Sequence, residues 1–285
     1  MNAAQHTLQK PRKLGLAICC FFSALALLST SAHADKFTVG VVPQYSSSVI
    51  QDAWHPILEE IEARTGHHFD LVLEPDIMQF EVAFERGDYD FAYMNPWHAV
   101  IAYEKQKYMP ILKDNAKTLK GILTVRSDSP IKDVKELDGA EIAFPSPNAL
   151  SASLLMRTEL ATLHGLDIKP VYVRTHPSVY LNVALGASVA GGGVLRTLRA
   201  QPQELQDQLR ILYETREVAP HPIVMHPRVA NSIGEQVAEA LLDIGSDDKG
   251  KSLLSGIPIE EIGEATIDDY LPLEEWRLRE FYVSN

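Results

Sequence analysis

Beyond residue 35 the chain alternates short β-branched apolar runs with amphipathic stretches of period 3.6, separated by turn-forming residues. Residues 37–42 predict a first strand and residues 43–48 a polar turn. The following apolar positions, Val49, Ile50, Ala53, Trp54, Ile57, Leu58 and Ile61, recur with a helical period; one of the serines before them supplies an N-cap, and Gly66 stands where a helix-ending glycine belongs. A strand over 68–74, a helix over 77–86 and a strand over 89–94 come next, and Asn95-Pro96 leads into a helix at Trp97. Such alternation predicts an α/β fold with a mainly parallel sheet flanked by helices on both faces.

The pattern then restarts. Residues 120–126 predict a strand, 127–133 a linker, 140–144 a strand, 150–164 a helix closed by Gly165, and 170–174 another strand. A helix over 179–185 ends at Gly186, and the strand over 188–193 opens into three glycines. Gly87-x-x-Asp90-x-Ala92 has a faint counterpart in Gly186-x-x-Val189-Ala190, each following a helix and opening a strand, with the acid lost in the second copy. Restart and repeat together predict two similar lobes, residues 35–120 with 225–285 and residues 121–224, joined by two hinge strands. Further strands are expected at 211–214 and 222–226, and helices at 230–244, 247–254 and 273–282.

Residues 1–34 have the pattern of a secretory signal peptide. Lys10, Arg12 and Lys13 form the basic start, residues 14–28 the apolar run, and Ala32-His33-Ala34 a small-x-small site for cleavage before Asp35. Both cysteines, Cys19 and Cys20, fall in that segment, so the mature chain has none, and disulfides, thiolate catalysis and cysteine metal sites are excluded together. Export without disulfides predicts a periplasmic location.

The 26 basic and 38 acidic residues give a net charge of −12; removal of the three basic signal residues leaves 23 against 38, or −15. A nucleic-acid surface is not expected from that balance. Ten histidines raise the question of a metal, but His67 and His68 are adjacent and point apart on a strand, and no pair has helix-face ligand spacing. No metal or other cofactor is expected. Nor does any Gly-x-Ser-x-Gly elbow support a catalytic nucleophile.

Ligands of open α/β sheets collect at the carboxyl ends of strands, where helix N-termini aim unpaired N–H groups. Tyr93 and Asn95 stand at one such end. Two turns between a strand and a helix, Gln44 to Ser48 with Ser46, Ser47 and Ser48, and Ser146 to Ser151, place hydroxyl or amide groups at helix starts in different lobes. Facing each other across a cleft, they would hold a small oxyanion; ordinary capping accounts for one such residue per helix, and three successive serines exceed it. His176, in Arg174-Thr-His-Pro177, holds the strand-end position in the second lobe.

These pieces resemble the periplasmic substrate-binding proteins of ABC transporters for phosphonate, phosphite and related phosphate compounds. The carriers are Phe37-Thr-Val-Gly-Val-Val-Pro43, Gly87 to Pro96, Phe144-Pro-Ser-Pro-Asn-Ala-Leu-Ser151, His176 and Val218-Ala-Pro-His-Pro-Ile-Val224. The resemblance implies a two-lobed type II periplasmic binding protein, a monomer that is not an enzyme and that passes a small phosphorus oxyanion to a membrane permease. It implies ligand contacts from Asn148, Leu150, Ser151 and His176 in the second lobe and from Tyr45 and Tyr93 in the first. Two departures stand out: Ala149-Leu-Ser-Ala152 replaces a Ser-Thr-Ser-Gly run, and Val189 replaces an acid. A sensory binding protein serving a histidine kinase is the neighbouring reading, and an enzyme on the same fold a more distant one.

Overall fold

The computed structural model describes Met1 and residues 34–284; apart from Met1 and Ala34, the expected signal peptide lies outside the described residues. From Lys36 the chain runs β1 (Lys36–Val41), α1 (Ser47–Thr65), β2 (His68–Val72), α2 (Ile77–Arg86), β3 (Phe91–Tyr93), α3 (Pro96–Gln106) and β4 (Met109–Asp114). The predicted stripe drives α1: Ile50, Trp54, Ile57, Leu58 and Ile61 are buried, and Gly66 ends the helix in the left-handed region at φ 73°.

A second sequence of elements repeats the first. It comprises β5 (Leu119–Arg126), β6 (Glu141–Phe144), a wide first turn (Leu150–Leu154) continuing as α4 (Leu155–Thr162), β7 (Lys169–Tyr172), α5 (His176–Ala184) and β8 (Ala190–Val194). After α6 (Leu195–Arg199), α7 (Gln203–Gln206) and β9 (Leu209–Val218), the chain returns as β10 (Ile223–Met225), α8 (Asn231–Ile244), α9 (Asp248–Leu254) and β11 (Ile262–Glu264).

Two sheets result, ordered β2, β1, β3, β10, β4, β11 and β7, β6, β8, β5, β9. Each has three parallel strands in the same order of appearance, second, first, third, with antiparallel strands added on one side. The sheets are therefore alike, and mixed rather than wholly parallel. The chain passes from one to the other through residues 115–118 and 219–222. Along β5, Ile122 packs into one apolar cluster while Leu123 and Val125 pack into another, so both faces of the second sheet are covered.

The elements depart from the sequence-based expectation in several places. β4, α6, α7 and β11 are present where no such element is predicted. The helix expected over 273–282 is instead two short 3₁₀ turns, Leu271–Trp276 and Leu278–Glu280, broken at Arg277 with φ 58°. His176, shortly after β7, is the first residue of α5, behind the capping Thr175.

Candidate ligand-binding site

In each sheet the strand order reverses between the first and third parallel strands, and the loops leaving those strands diverge to make a crevice. The loops after β1, β3, β6 and β8 meet there. Glycines set how closely they approach. A Cβ on Gly121 of β5 would overlap the Ser151 carbonyl oxygen, and one on Gly192 of β8 would overlap that of Ala152. Only bare backbone at these positions lets the Leu150–Leu154 turn lie directly on the sheet.

That turn lines a small cavity of ≈20 Å³ with Gln44, Asn95, His176 and His221, which come from both sheets. Ser151 is 2% exposed, and its Oγ is buried without any hydrogen-bond partner. A buried hydroxyl left so costs about 1–3 kcal/mol, so the position calls for a ligand atom or water. The backbone N–H groups at the start of the turn add dipoles of the same sense.

The two histidines are neutral near pH 7. Burial pushes His176 down to about 4 and His221 to about 3, the latter helped by His98 and His176 nearby. His176 Nδ1 lies 3.4 Å from Thr197 Oγ1. His221 Nε2 is 3.2 Å from Gln44 Nε2, and its ring stacks on Tyr93 at 5.3 Å between centroids. Lys, Arg, Asp and Glu are all missing from this cavity's lining, so recognition there falls to uncharged donors and helix-end dipoles.

A larger cavity of ≈380 Å³ shares Val42 and Gln44 with the first and contains Tyr45, Trp54, Tyr93 and Arg196. Burial raises the Tyr45 phenol above its ordinary value, and the Arg196 guanidinium opposes that shift. Burial likewise raises Tyr93.

The sequence-predicted residues thus divide. Asn95, Leu150, Ser151 and His176 line the small cavity, and Tyr45 and Tyr93 the large one. Ser46, Ser47 and Ser48 line neither: all three are exposed, Ser46 and Ser48 face each other at 3.2 Å, and Ser46 makes no side-chain cap. Asn148 is fully buried but engaged elsewhere. Its Nδ2 donates to Glu81 Oε2 (2.9 Å) and to the Val283 carbonyl (2.8 Å), and its Oδ1 accepts from Val283 N (3.0 Å). Its carbonyl accepts instead from Asn95 Nδ2 at 3.1 Å, a bond between the lobes. None of these four side chains lines either cavity. Asn95 spends Oδ1 on capping α3 through His98 N.

His221 and Arg196 went unpredicted, and Gln44 entered only as the first residue of the candidate turn Gln44 to Ser48. His221 stands in the Pro220-His-Pro222 crossing, whose two prolines were a signal for a fixed backbone near the hinge. Among the described residues no group of three or more His, Cys, Asp or Glu could hold a metal ion.

A family model described as ABC transporter, phosphonate, periplasmic substrate-binding protein matches residues 39–270. The phosphonates-binding periplasmic protein of Escherichia coli (strain K12) is 20% identical over 257 residues, covering 84% of this chain and 76% of that protein. Two solved structures share the fold. A binding protein component of an ABC phosphonate transporter from Pseudomonas aeruginosa gives a TM-score of 0.78 at 14% identity, covering 87% of this chain and 88% of its own. PhnD1 from Prochlorococcus marinus (MIT 9301), in complex with methylphosphonate, gives 0.78 at 16%, covering 87% and 99%.

Proposed function

The chain belongs to the periplasmic phosphonate-binding proteins of ABC transporters, and from that membership we propose that its lobes close on the phosphonyl oxygens of a phosphonate and present it to a membrane permease. The observation that carries this reading is Ser151, whose buried Oγ has no partner and shares its cavity with two neutral buried histidines. A neutral imidazole has one N–H to donate. Ser151 Oγ, His176 and His221, with the first N–H groups of the Leu150–Leu154 turn, would supply the grip, and Asn95 and Gln44 the opposite wall.

The crossings at residues 115–118 and 219–222 are the proposed hinges, close to the expected boundaries at 120/121 and 224/225. Residues 1–34 would direct export to the periplasm and be removed after Ala34, leaving a monomer. Among the described residues no helix is long and apolar enough to cross a membrane, and sequencing the exported chain's N-terminus tests the cleavage.

Isothermal titration with methylphosphonate, phosphite, phosphate and methanesulfonate tests the ligand. Saturable heat with the phosphorus oxyanions is expected. Silence with all of them would overturn the assignment.

A further inference from the structure

The larger cavity has a composition of its own. Val49, Ile50, Ala53 and Trp54 on α1 form one wall, with Val49 half exposed at 51% although it is β-branched and apolar. Tyr93 and residues 256–258 also belong to the lining. Across from α1 stand Arg196 and Arg199 of α6.

The charges at its edge are one-sided. Arg196 donates to the Ser255 carbonyl at 3.0 Å and lies beside Tyr45, and neither arginine forms an ion pair with a carboxylate among the described residues. In a chain with 38 acidic residues against 26 basic, two such guanidiniums at one opening are unexpected for a solvated surface. Asp and Glu are absent from the lining of both cavities. An ammonium group placed there would have no counter-charge, whereas an apolar group would bury surface and an anionic end would meet two cations.

We propose that the larger cavity receives the organic substituent of the ligand, and that the chain selects phosphonates with a bulky apolar substituent, better still one ending in a carboxylate, over short or amino-substituted ones. This rests on the phosphonate reading, with the phosphonyl group at the small cavity, whose ≈20 Å³ holds about one water and which must widen to admit that group. The two cavities share Val42 and Gln44 in their linings and so adjoin at these residues, past which a substituent leaving the first would reach the second. Trp54 and Tyr93, whose ring centroids lie 5.3 Å apart, both belong to the lining, so an aromatic substituent would meet rings of its own kind there.

The test is a calorimetric series on the mature chain: methylphosphonate, phenylphosphonate, 4-carboxyphenylphosphonate and 2-aminoethylphosphonate. Phenylphosphonate should bind at least about tenfold more tightly than methylphosphonate, as burial of a ring demands. The 4-carboxyphenyl compound should bind severalfold more tightly again, and that last gain should vanish in the double variant Arg196→Gln, Arg199→Gln. Ala200→Phe, which fills the cavity from an exposed position, should abolish the phenyl-to-methyl preference; Ala53→Leu does so from the other wall if the first variant folds poorly. Methylphosphonate binding with no phenyl preference, or tightest binding of 2-aminoethylphosphonate, would overturn the subsite while leaving the phosphonate reading in place. Binding of none of the four would overturn both.

Discussion

At the scale of the residue, the cavity is assembled from groups that hold no charge until a ligand arrives. Replacing Ser151 or His176 by Ala should weaken methylphosphonate binding by about 1–3 kcal/mol each, the usual loss when a buried anion gives up a donor. Calorimetry reads this directly, and unchanged affinity in both variants would remove these residues from the site. The histidines also make stability depend on pH in a definite direction. Their ordinary value is 6.5, and in the fold they stand at about 4 and 3. Above pH 6.5 neither the folded nor the unfolded chain binds the protons, and the fold keeps its full stability. As pH falls from 6.5 towards 4 and 3, the unfolded chain takes up protons that the fold refuses, and stability is lost across that window at up to about 1.4 kcal/mol per pH unit for each histidine. The urea midpoint of His221→Gln should therefore fall less between pH 6.5 and 4 than that of the unaltered chain. Parallel decline would show that His221 is not held neutral by burial. His176 was legible from its place after a strand, but His221 was not, because nothing in a Pro-His-Pro crossing says which way the imidazole turns. The serines at 46–48 line neither cavity for the complementary reason: composition gives hydroxyls at a helix start, whereas the backbone decides whether they face the cleft or water.

At the scale of the element, the site depends on how closely one turn lies against one sheet. The alternation of strands and helices, the stripe of α1 and the two-lobed repeat could all be read from hydrophobic periodicity, because burial of one face dictates those positions whatever the tertiary details. The glycine run 191–193 was visible too, but its purpose required the neighbours: the Ala152 carbonyl over Gly192, the Tyr180 ring over Gly193, and the Ser151 carbonyl over Gly121 on the adjacent strand. Gly121→Ala and Gly192→Ala should each destabilise the fold by about 1–3 kcal/mol through overpacking and lift the Leu150–Leu154 turn away from its cavity. Methylphosphonate affinity should fall in the same variants, since the turn carries Ser151. Loss of stability in urea with affinity intact would mean that the turn's seat does not set the site. The C-terminal 3₁₀ turns escaped sequence reading because residues 273–282 carry a helix-like apolar spacing, while Arg277 takes up left-handed backbone at φ 58° and pairs locally with Glu280.

At the scale of the whole molecule, the closing segment of the chain bridges both lobes. Arg279 pairs with Glu104 on α3 (2.7 Å), while the Phe281 carbonyl accepts from Arg157 on α4 (3.0 Å) and Val283 exchanges two hydrogen bonds with Asn148. The Arg216 guanidinium of β9 lies 4.0 Å over the Trp276 ring. The largest apolar cluster is also common to the two lobes, joining Val42 and Trp54 to Leu150, Leu154 and Val218. Under the proposed hinge, rotation about the two crossings breaks these contacts as the clamp opens. Small-angle scattering should therefore give a larger radius of gyration for the ligand-free chain than for the chain saturated with methylphosphonate, at unchanged far-UV circular dichroism. Asn148→Ala removes the link among Glu81, the Val283 backbone and the second lobe while leaving Ser151 in place. It should shift the ligand-free chain further towards the open form and weaken affinity by about 1–3 kcal/mol, because buried partners lose their bonds only in the closed state. Ser151→Glu should block closure altogether, its carboxylate occupying the anion's position at the helix start. One compact scattering curve, the same with and without ligand in all three proteins, would replace the clamp with a rigid pocket.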